Sequence, residues 1–367
     1  MKIKAAVLYK VKTPLVLEEI EQDPPKAHEV RVKVKACGVC HSDLHYITGD
    51  SPMILPGVLG HEVAGVVTEV GPNVTLVKEG DHVIGSFLPN CGFCRYCTAG
   101  MPHLCETYRA IRGPLLDGTT RLHNKKGQDL MVMGKLGGFA EYMVVPETGI
   151  VPIRKDMPLE PASLIACAVT TGICAVTNRA RVEAGSDVAV IGTGGVGLSV
   201  VQGAKLVGAS KVIAVDILDN KLEWARQFGA THTINATRED TVKRVMEITG
   251  GEGVNYSFEA IGNPRTCRQA LDMLASHGVA VMVGLPPQNV DLSFDGRAFF
   301  FRERAFIGTI HGSARPRVDF PKIVDYYMNG QIKLDEMISR RWKLEEINEA
   351  FAALEKGEVA RGIVVFD

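Results

Sequence analysis

Few main-chain arrangements accommodate the run Gly192-Thr193-Gly194-Gly195-Val196-Gly197, which follows an apolar stretch, Val188 to Ile191, and opens a helical pattern to Val207. In that strand–loop–helix setting the glycines permit a tight turn and close approach of backbone to a pyrophosphate, which rests on the helix N-terminus. Gly192, Gly194, Gly195, Val196 and Gly197 are therefore candidate cofactor contacts. A second apolar stretch, Lys211 to Val215, ends in Asp216, 19 residues past Gly197. An acid there binds both hydroxyls of a ribose and repels a 2′-phosphate, so NAD is expected over NADP. Strand and helix patterns alternate onward to Ile310, which predicts a doubly wound parallel sheet.

The residues before this half read differently. Val30, Val32 and Val34 alternate with Arg31, Lys33 and Lys35, the period of a half-buried strand, and further strand-like stretches run from Glu62 to Ser86. His82 reads as a strand-edge residue. Cys91, Cys94, Cys97 and Cys105 are spaced C-x2-C-x2-C-x7-C. Four thiols so close can close a tetrahedral shell with no open position, the pattern of a structural zinc. An iron–sulfur cluster uses similar spacing, but a second Cys/His set in the same chain favours zinc. That second set is Cys40 and His61, with acidic Asp43 and Glu62 beside them and Cys167 as the expected third ligand. Three protein ligands leave zinc a position for chemistry. Cys37 and Cys40 also form a C-x-x-C, but no thioredoxin-like unit surrounds it, and Cys37 reads as core filler. Residues 106–140 are turn-rich, a long segment of the kind that carries function, and Pro161 to Asn178 reads as a helix bearing Cys167.

A chain of 367 residues is long for one core, and a net charge of −1 excludes polyanions and anionic membrane surfaces as evident partners. Neither low-charge stretch, Pro161 to Asn178 nor Val188 to Ala204, reads as a bilayer span, since both are short and broken by Gly and Thr. No signal-peptide pattern opens the sequence, and seven of nine cysteines sit in metal-like settings. A reduced, cytoplasmic protein is expected.

Taken together, Gly-Val-Cys40-His-Ser-Asp, Gly60-His61-Glu62, the four-cysteine lobe, Asp117-Gly118-Thr119-Thr120-Arg121, the Cys167 segment, the glycine loop, Val283-Gly284-Leu285-Pro286-Pro287 and Ala360-Arg361-Gly362 resemble the zinc-dependent medium-chain alcohol dehydrogenases. The resemblance runs essentially the full length. It implies an α/β protein with a GroES-like, mainly-β catalytic domain over 1–168, carrying the structural zinc lobe at 91–105. A Rossmann domain for NAD over 169–309 and a return to the catalytic domain over 310–367 complete the expectation. It implies one catalytic zinc on Cys40, His61 and Cys167, with Asp43 and Glu62 as supporting carboxylates, and one structural zinc. It also implies hydride transfer between an alcohol and NAD. Ser42 would take the alcohol proton and pass it through the cofactor ribose to His45, a residue type that titrates near neutrality. His41 and Arg361 would meet the pyrophosphate, Thr171 the nicotinamide, and Lys221 the adenosine ribose. Ser51, Phe87, Val132, Met133, Leu285 and Ile310 would line the substrate pocket. Most are apolar, so a hydrophobic or aromatic primary alcohol or its aldehyde is the expected small-molecule partner. One branch of the family oxidises the glutathione adduct of formaldehyde using acidic residues that would fall near Ser51 and Met53 here. That branch, with Arg109 near its carboxylate-binding position, and a nicotinoprotein that retains NAD are the alternatives. A homo-oligomer is expected, a dimer before a tetramer, with no nucleic acid or membrane partner. A non-catalytic, zinc-stabilised nucleotide-binding protein would account for the four cysteines and the glycine loop, but leaves Cys40, His61 and Cys167 without purpose.

Overall fold

Val30, Val32 and Val34 are fully buried while Arg31, Lys33 and Lys35 are only partly so, as in a strand with one face on a core. In the computed structural model, which describes residues 1–111 and 113–367, this strand spans Glu29–Val39 in a seven-stranded sheet. Its antiparallel partner, Glu62–Val70, is held in a register that sets Gly38 opposite Glu62. Cys40 and His61 lie just beyond those two positions, so strand pairing closes the sequence gap between them. On its other side the strand pairs with Arg361–Val365, Val364 opposite Cys37, which delivers Arg361 to the same end of the sheet. A five-stranded sheet around Lys2–Leu8 covers the same core, where Leu8, Leu59, Phe139 and Trp342 are buried.

Several elements of this half escaped the sequence patterns, among them one helix and one strand close to the site. Helix His41–Thr48 starts directly after Cys40 and ends at Gly49, whose φ of 85° is the left-handed conformation that closes helices. Strand Ile338–Trp342 pairs parallel to Arg361–Val365. The turn-rich segment is pinned by buried Arg121. Its Nε and Nη2 donate to Glu29 at 2.8 and 2.6 Å, and Nη2 also donates to Asp117 at 2.7 Å. Such a bidentate pair fixes direction as well as distance.

Contacts divide the chain into Met1–Cys167 with Arg315–Gly330 and Leu334–Asp367, and Ala168–Ala314 with Gln331–Lys333. The chain leaves the first unit within a helix of 22 residues, Leu159–Ala180, long and apolar enough to cross a membrane but buried as a core helix is. It is π-wound over Ile165–Val169, the turn that bears Cys167. Such widened turns occur often at functional sites.

The second unit is a six-stranded parallel sheet. Its strands lie in the order His232–Asn235, Lys211–Asp216, Asp187–Ile191, Val254–Glu259, Leu274–Met282, Ala305–Gly308. This is the doubly wound order, whose direction reverses beside the first strand of the unit, at the end of which the glycine loop sits. Only glycine suits two loop positions. Gly192 has φ of 89°, and a Cβ on Gly197 would lie 1.8 Å from the Gly192 carbonyl oxygen.

Candidate active site

The first helix carries Ser42, Asp43 and His45, and its register buries Asp43 completely. Asp43 Oδ1 accepts from the Gly60 amide at 2.9 Å and lies 3.2 Å from His61 Nδ1. In the neutral imidazole a proton on Nδ1 leaves Nε2 as the free lone pair, and among the described residues Nε2 is buried with no hydrogen-bond partner. Cys40, Cys167 and Glu62 complete the group: one potential ligand atom from each of the four residues lies within 4.8 Å of the others. The hydrogen bond from Cys167 and the charge of His61 hold the Cys40 thiol well below its ordinary value against the effect of burial. The same bond and burial push Cys167 well above its own. Burial opposes a charge on His61, yet Asp43 and the Cys40 thiolate raise its pKa well above the usual value. An orphaned imidazole nitrogen facing two packed sulfurs is the donor set zinc prefers.

Glu62 is buried against Arg361, whose Nη2 donates to Glu62 Oε2. Burial pushes the Glu62 carboxyl up to about 7, with Arg361 pulling the other way. For Arg361 burial is likewise unfavourable, but Glu62, Cys40 and Cys167 outweigh it and raise its pKa. A guanidinium keeps its proton in proteins, so the pair is ionic whenever Glu62 is deprotonated. The sequence suggested a separate task for Arg361 at a pyrophosphate. Its pairing with Glu62 was not legible, because the two are joined only by sheet register.

The Cys91, Cys94, Cys97 and Cys105 sulfurs also cluster within 4.8 Å, with Cys91 and Cys97 Sγ 3.9 Å apart. The Cys97 amide and further N–H groups lower Cys94 to about 6, while burial pushes Cys97 up to about 12. Four free thiols gathered this closely fit a structural zinc.

Two expected members of the proton path stand on one helix. Ser42 is half-buried, and His45 Nδ1 pairs with Asp50 at 3.5 Å, a partner the sequence did not suggest. No direct hydrogen bond joins Ser42 to His45 among the described residues. His41, next to Cys40, is exposed.

Phe87 meets the His61 ring edge-on, with centroids 5.4 Å apart, and also lines a cavity of about 340 Å³. Val132 and Met133 line it too, with Tyr46, Tyr108 and Arg109. Ser51 does not: Pro52, Met53 and Ile54 after it form that part of the wall. The helix ends at Gly49, and the chain turns there, so the three residues beyond Ser51 reach the cavity instead. Leu285 and Ile310 belong to the second unit, 59% and 38% exposed.

In the second unit, Asp216 Oδ2 accepts from the Thr193 amide and hydroxyl at 2.8 and 3.1 Å, and Oδ1 accepts from the Ile217 and Leu218 amides. The acid therefore also anchors the glycine loop, a role its place in the sequence does not reveal. The helix Gly195–Leu206 begins from Gly194. Thr171 is buried and Lys221 half-buried. Asp216→Ser is expected to raise the ratio of NADP to NAD efficiency by about tenfold or more, because a repelling charge is gone. It should also weaken NAD itself, because Thr193 loses its anchor. A wild-type protein that prefers NADP in kcat/KM would contradict the assignment of Asp216.

Residues 26–155 match the alcohol dehydrogenase GroES-like domain, and residues 195–328 the zinc-binding dehydrogenase domain. S-(hydroxymethyl)glutathione dehydrogenase of Saccharomyces cerevisiae is 41% identical, covering 100% of this chain and 97% of its own. The NDMA-dependent alcohol dehydrogenase of Amycolatopsis methanolica is 39% identical over 100% of this chain and 99% of its own. The crystal structure of benzyl alcohol dehydrogenase from Acinetobacter calcoaceticus superposes with a TM-score of 0.92 at 33% identity, covering 100% of both chains. Identity at this level along whole chains leaves no doubt of kinship: this chain belongs to the zinc-dependent medium-chain alcohol dehydrogenases, oxidoreductases that act on CH–OH groups with NAD.

Proposed function

We propose that the chain oxidises the S-(hydroxymethyl) adduct of a carboxylate-bearing thiol, glutathione being the type case, with NAD as hydride acceptor. The order of substrates read from the sequence is reversed here. A hydrophobic alcohol came first there, but relatives 40–41% identical along the chain are named S-(hydroxymethyl)glutathione dehydrogenase or class-3 alcohol dehydrogenase. The observation that carries the reading is Arg109. It is exposed on the cavity wall, and among the described residues it has no carboxylate partner and no Asp or Glu lines that cavity. An unpaired guanidinium at the mouth of an acid-free cavity suits a carboxylate.

Cys40, His61 and Cys167 would hold the catalytic zinc. When bound, that ion supplies a Lewis acid that makes a hydroxyl easier to deprotonate. Asp43 keeps the proton on His61 Nδ1 and so aims Nε2, as carboxylates behind ligand histidines do. Phe87, packed on His61, keeps water from that side of the site. Ser42 Oγ would accept the substrate's proton, and His45 would carry it away.

The test compares kcat/KM for formaldehyde with glutathione against benzyl alcohol. The adduct should win by about tenfold or more, and Arg109→Ala should raise its KM by about tenfold while leaving benzyl alcohol nearly unaffected. An enzyme indifferent to glutathione would support the second reading, oxidation of an aromatic primary alcohol. That reading is favoured by Ser51 and Met53, which stand where the glutathione branch carries acids, and by apolar walls at Phe87, Val132 and Met133.

A further inference from the structure

Lys135 lines the substrate cavity as Arg109 does and has a different role. Its Nζ donates to the carbonyl oxygens of Ile111, at 3.1 Å, and Gly113. Ile111, Gly113 and Lys135 all line the cavity. The tie thus joins two walls: the segment that follows the cysteine lobe, and the turn that carries Val132 and Met133. Burial lowers the Lys135 pKa, and among the described residues no carboxylate acts on it.

The backbone is built to bring the ammonium there. Gly134 and Lys135 both have positive φ, 60° and 64°, a left-handed pair uncommon for a residue with a Cβ. A Cβ on Gly134 would lie 2.6 Å from Phe87 Cβ, so the turn is pressed against the base of the side chain whose ring meets His61. Lys135 holds its costly conformation where its side chain can reach across to two carbonyls. A surface lysine would not need that geometry, and an anion-binding lysine would not give two of its three protons to main chain.

We propose that Lys135 is a positioning residue that straps the cavity wall formed by Ile111 and Gly113 to the 132–135 turn, and thereby sets how well the enzyme binds substrates whose tails reach that wall. This rests on the cavity being the substrate's, whichever alcohol that is, and not on the glutathione reading. A fixed wall needs no ordering when the tail arrives, so the strap acts on binding and not on the hydride step.

The experiment uses the zinc-loaded enzyme, NAD, and straight-chain alcohols from ethanol to octanol, comparing wild type with Lys135→Met and Lys135→Arg. In Lys135→Met, KM for octanol should rise by about tenfold while its kcat and the ethanol KM stay near wild type. Lys135→Arg, which can still donate to both carbonyls, should restore most of the octanol KM. Limited trypsin digestion supplies a readout that needs no turnover: cleavage after Arg109 should quicken in Lys135→Met and return towards the wild-type rate in Lys135→Arg. An octanol KM unchanged in Lys135→Met, or a change equal for ethanol and octanol, would overturn the proposal. So would cleavage at the wild-type rate. If wild type oxidised no alcohol at all, the family's chemistry would be in question, while the digestion would still decide whether the strap exists.

Discussion

Cys40→Ser should cost at least about a thousandfold in kcat/KM and should lower zinc from about two per chain to about one, with the fold intact. The size follows from position. Cys40 is the buried donor that both Cys167 and His61 address, and a serine hydroxyl is a harder and less readily ionised ligand than a thiolate. The fold should survive because Cys40 only terminates strand Glu29–Val39, whose ladder with Glu62–Val70 does not use its side chain. Metal analysis and far-ultraviolet circular dichroism on one preparation check both halves of the expectation. A Cys40→Ser protein that keeps two zincs and wild-type turnover would remove the catalytic centre from this position.

Arg361→Leu carries the largest expected loss of stability. Both members of its pair are almost inaccessible, with side-chain exposures of 4% for Arg361 and 0% for Glu62. Removing one partner of such a pair costs about 3–5 kcal/mol, because the other stays buried without its counter-ion. Glu62 would then lose the counter-charge that most offsets its burial, and since burial already lifts its pKa, its neutral form would gain further. The double variant Arg361→Leu/Glu62→Gln should recover much of the loss, because no charge remains to be desolvated. Urea unfolding of the two variants and wild type measures this. A single variant within about 1 kcal/mol of wild type would mean the pair is exchanging with solvent.

How much of this was legible in the sequence depended on the range of the interaction. The glycine loop announced itself, because its turn chemistry is local: Gly192 needs its φ and Gly197 its missing Cβ whatever the rest of the chain does. The four-cysteine lobe was local too, its donors spaced along a short loop. The Cys40–His61–Cys167 set was readable as residue types, while its assembly depended on the Gly38–Glu62 register and on a π-turn that no periodicity forecasts. Helix His41–Thr48 was missed because His-Ser-Asp-Leu-His-Tyr-Ile-Thr buries one acid against His61 and shows no apolar stripe. The Glu62–Arg361 pair and the Lys135 strap were hidden for the same reason. Each is made by partners brought together from distant or irregular segments, and Gly134-Lys135-Leu136-Gly137-Gly138 by itself signals only a turn.

Each chain is expected to hold two zincs with separate duties, one for chemistry and one for the fold. Stepwise chelation of the intact enzyme, following zinc content, alcohol oxidation and circular dichroism together, addresses it directly. Four thiolates with no open position should release zinc more slowly than two thiolates and an imidazole sharing their site with substrate. Activity should therefore vanish with loss of the first zinc, while the spectrum changes only with the second. Loss of fold and activity together at the first zinc, or full activity with only one zinc bound, would contradict it.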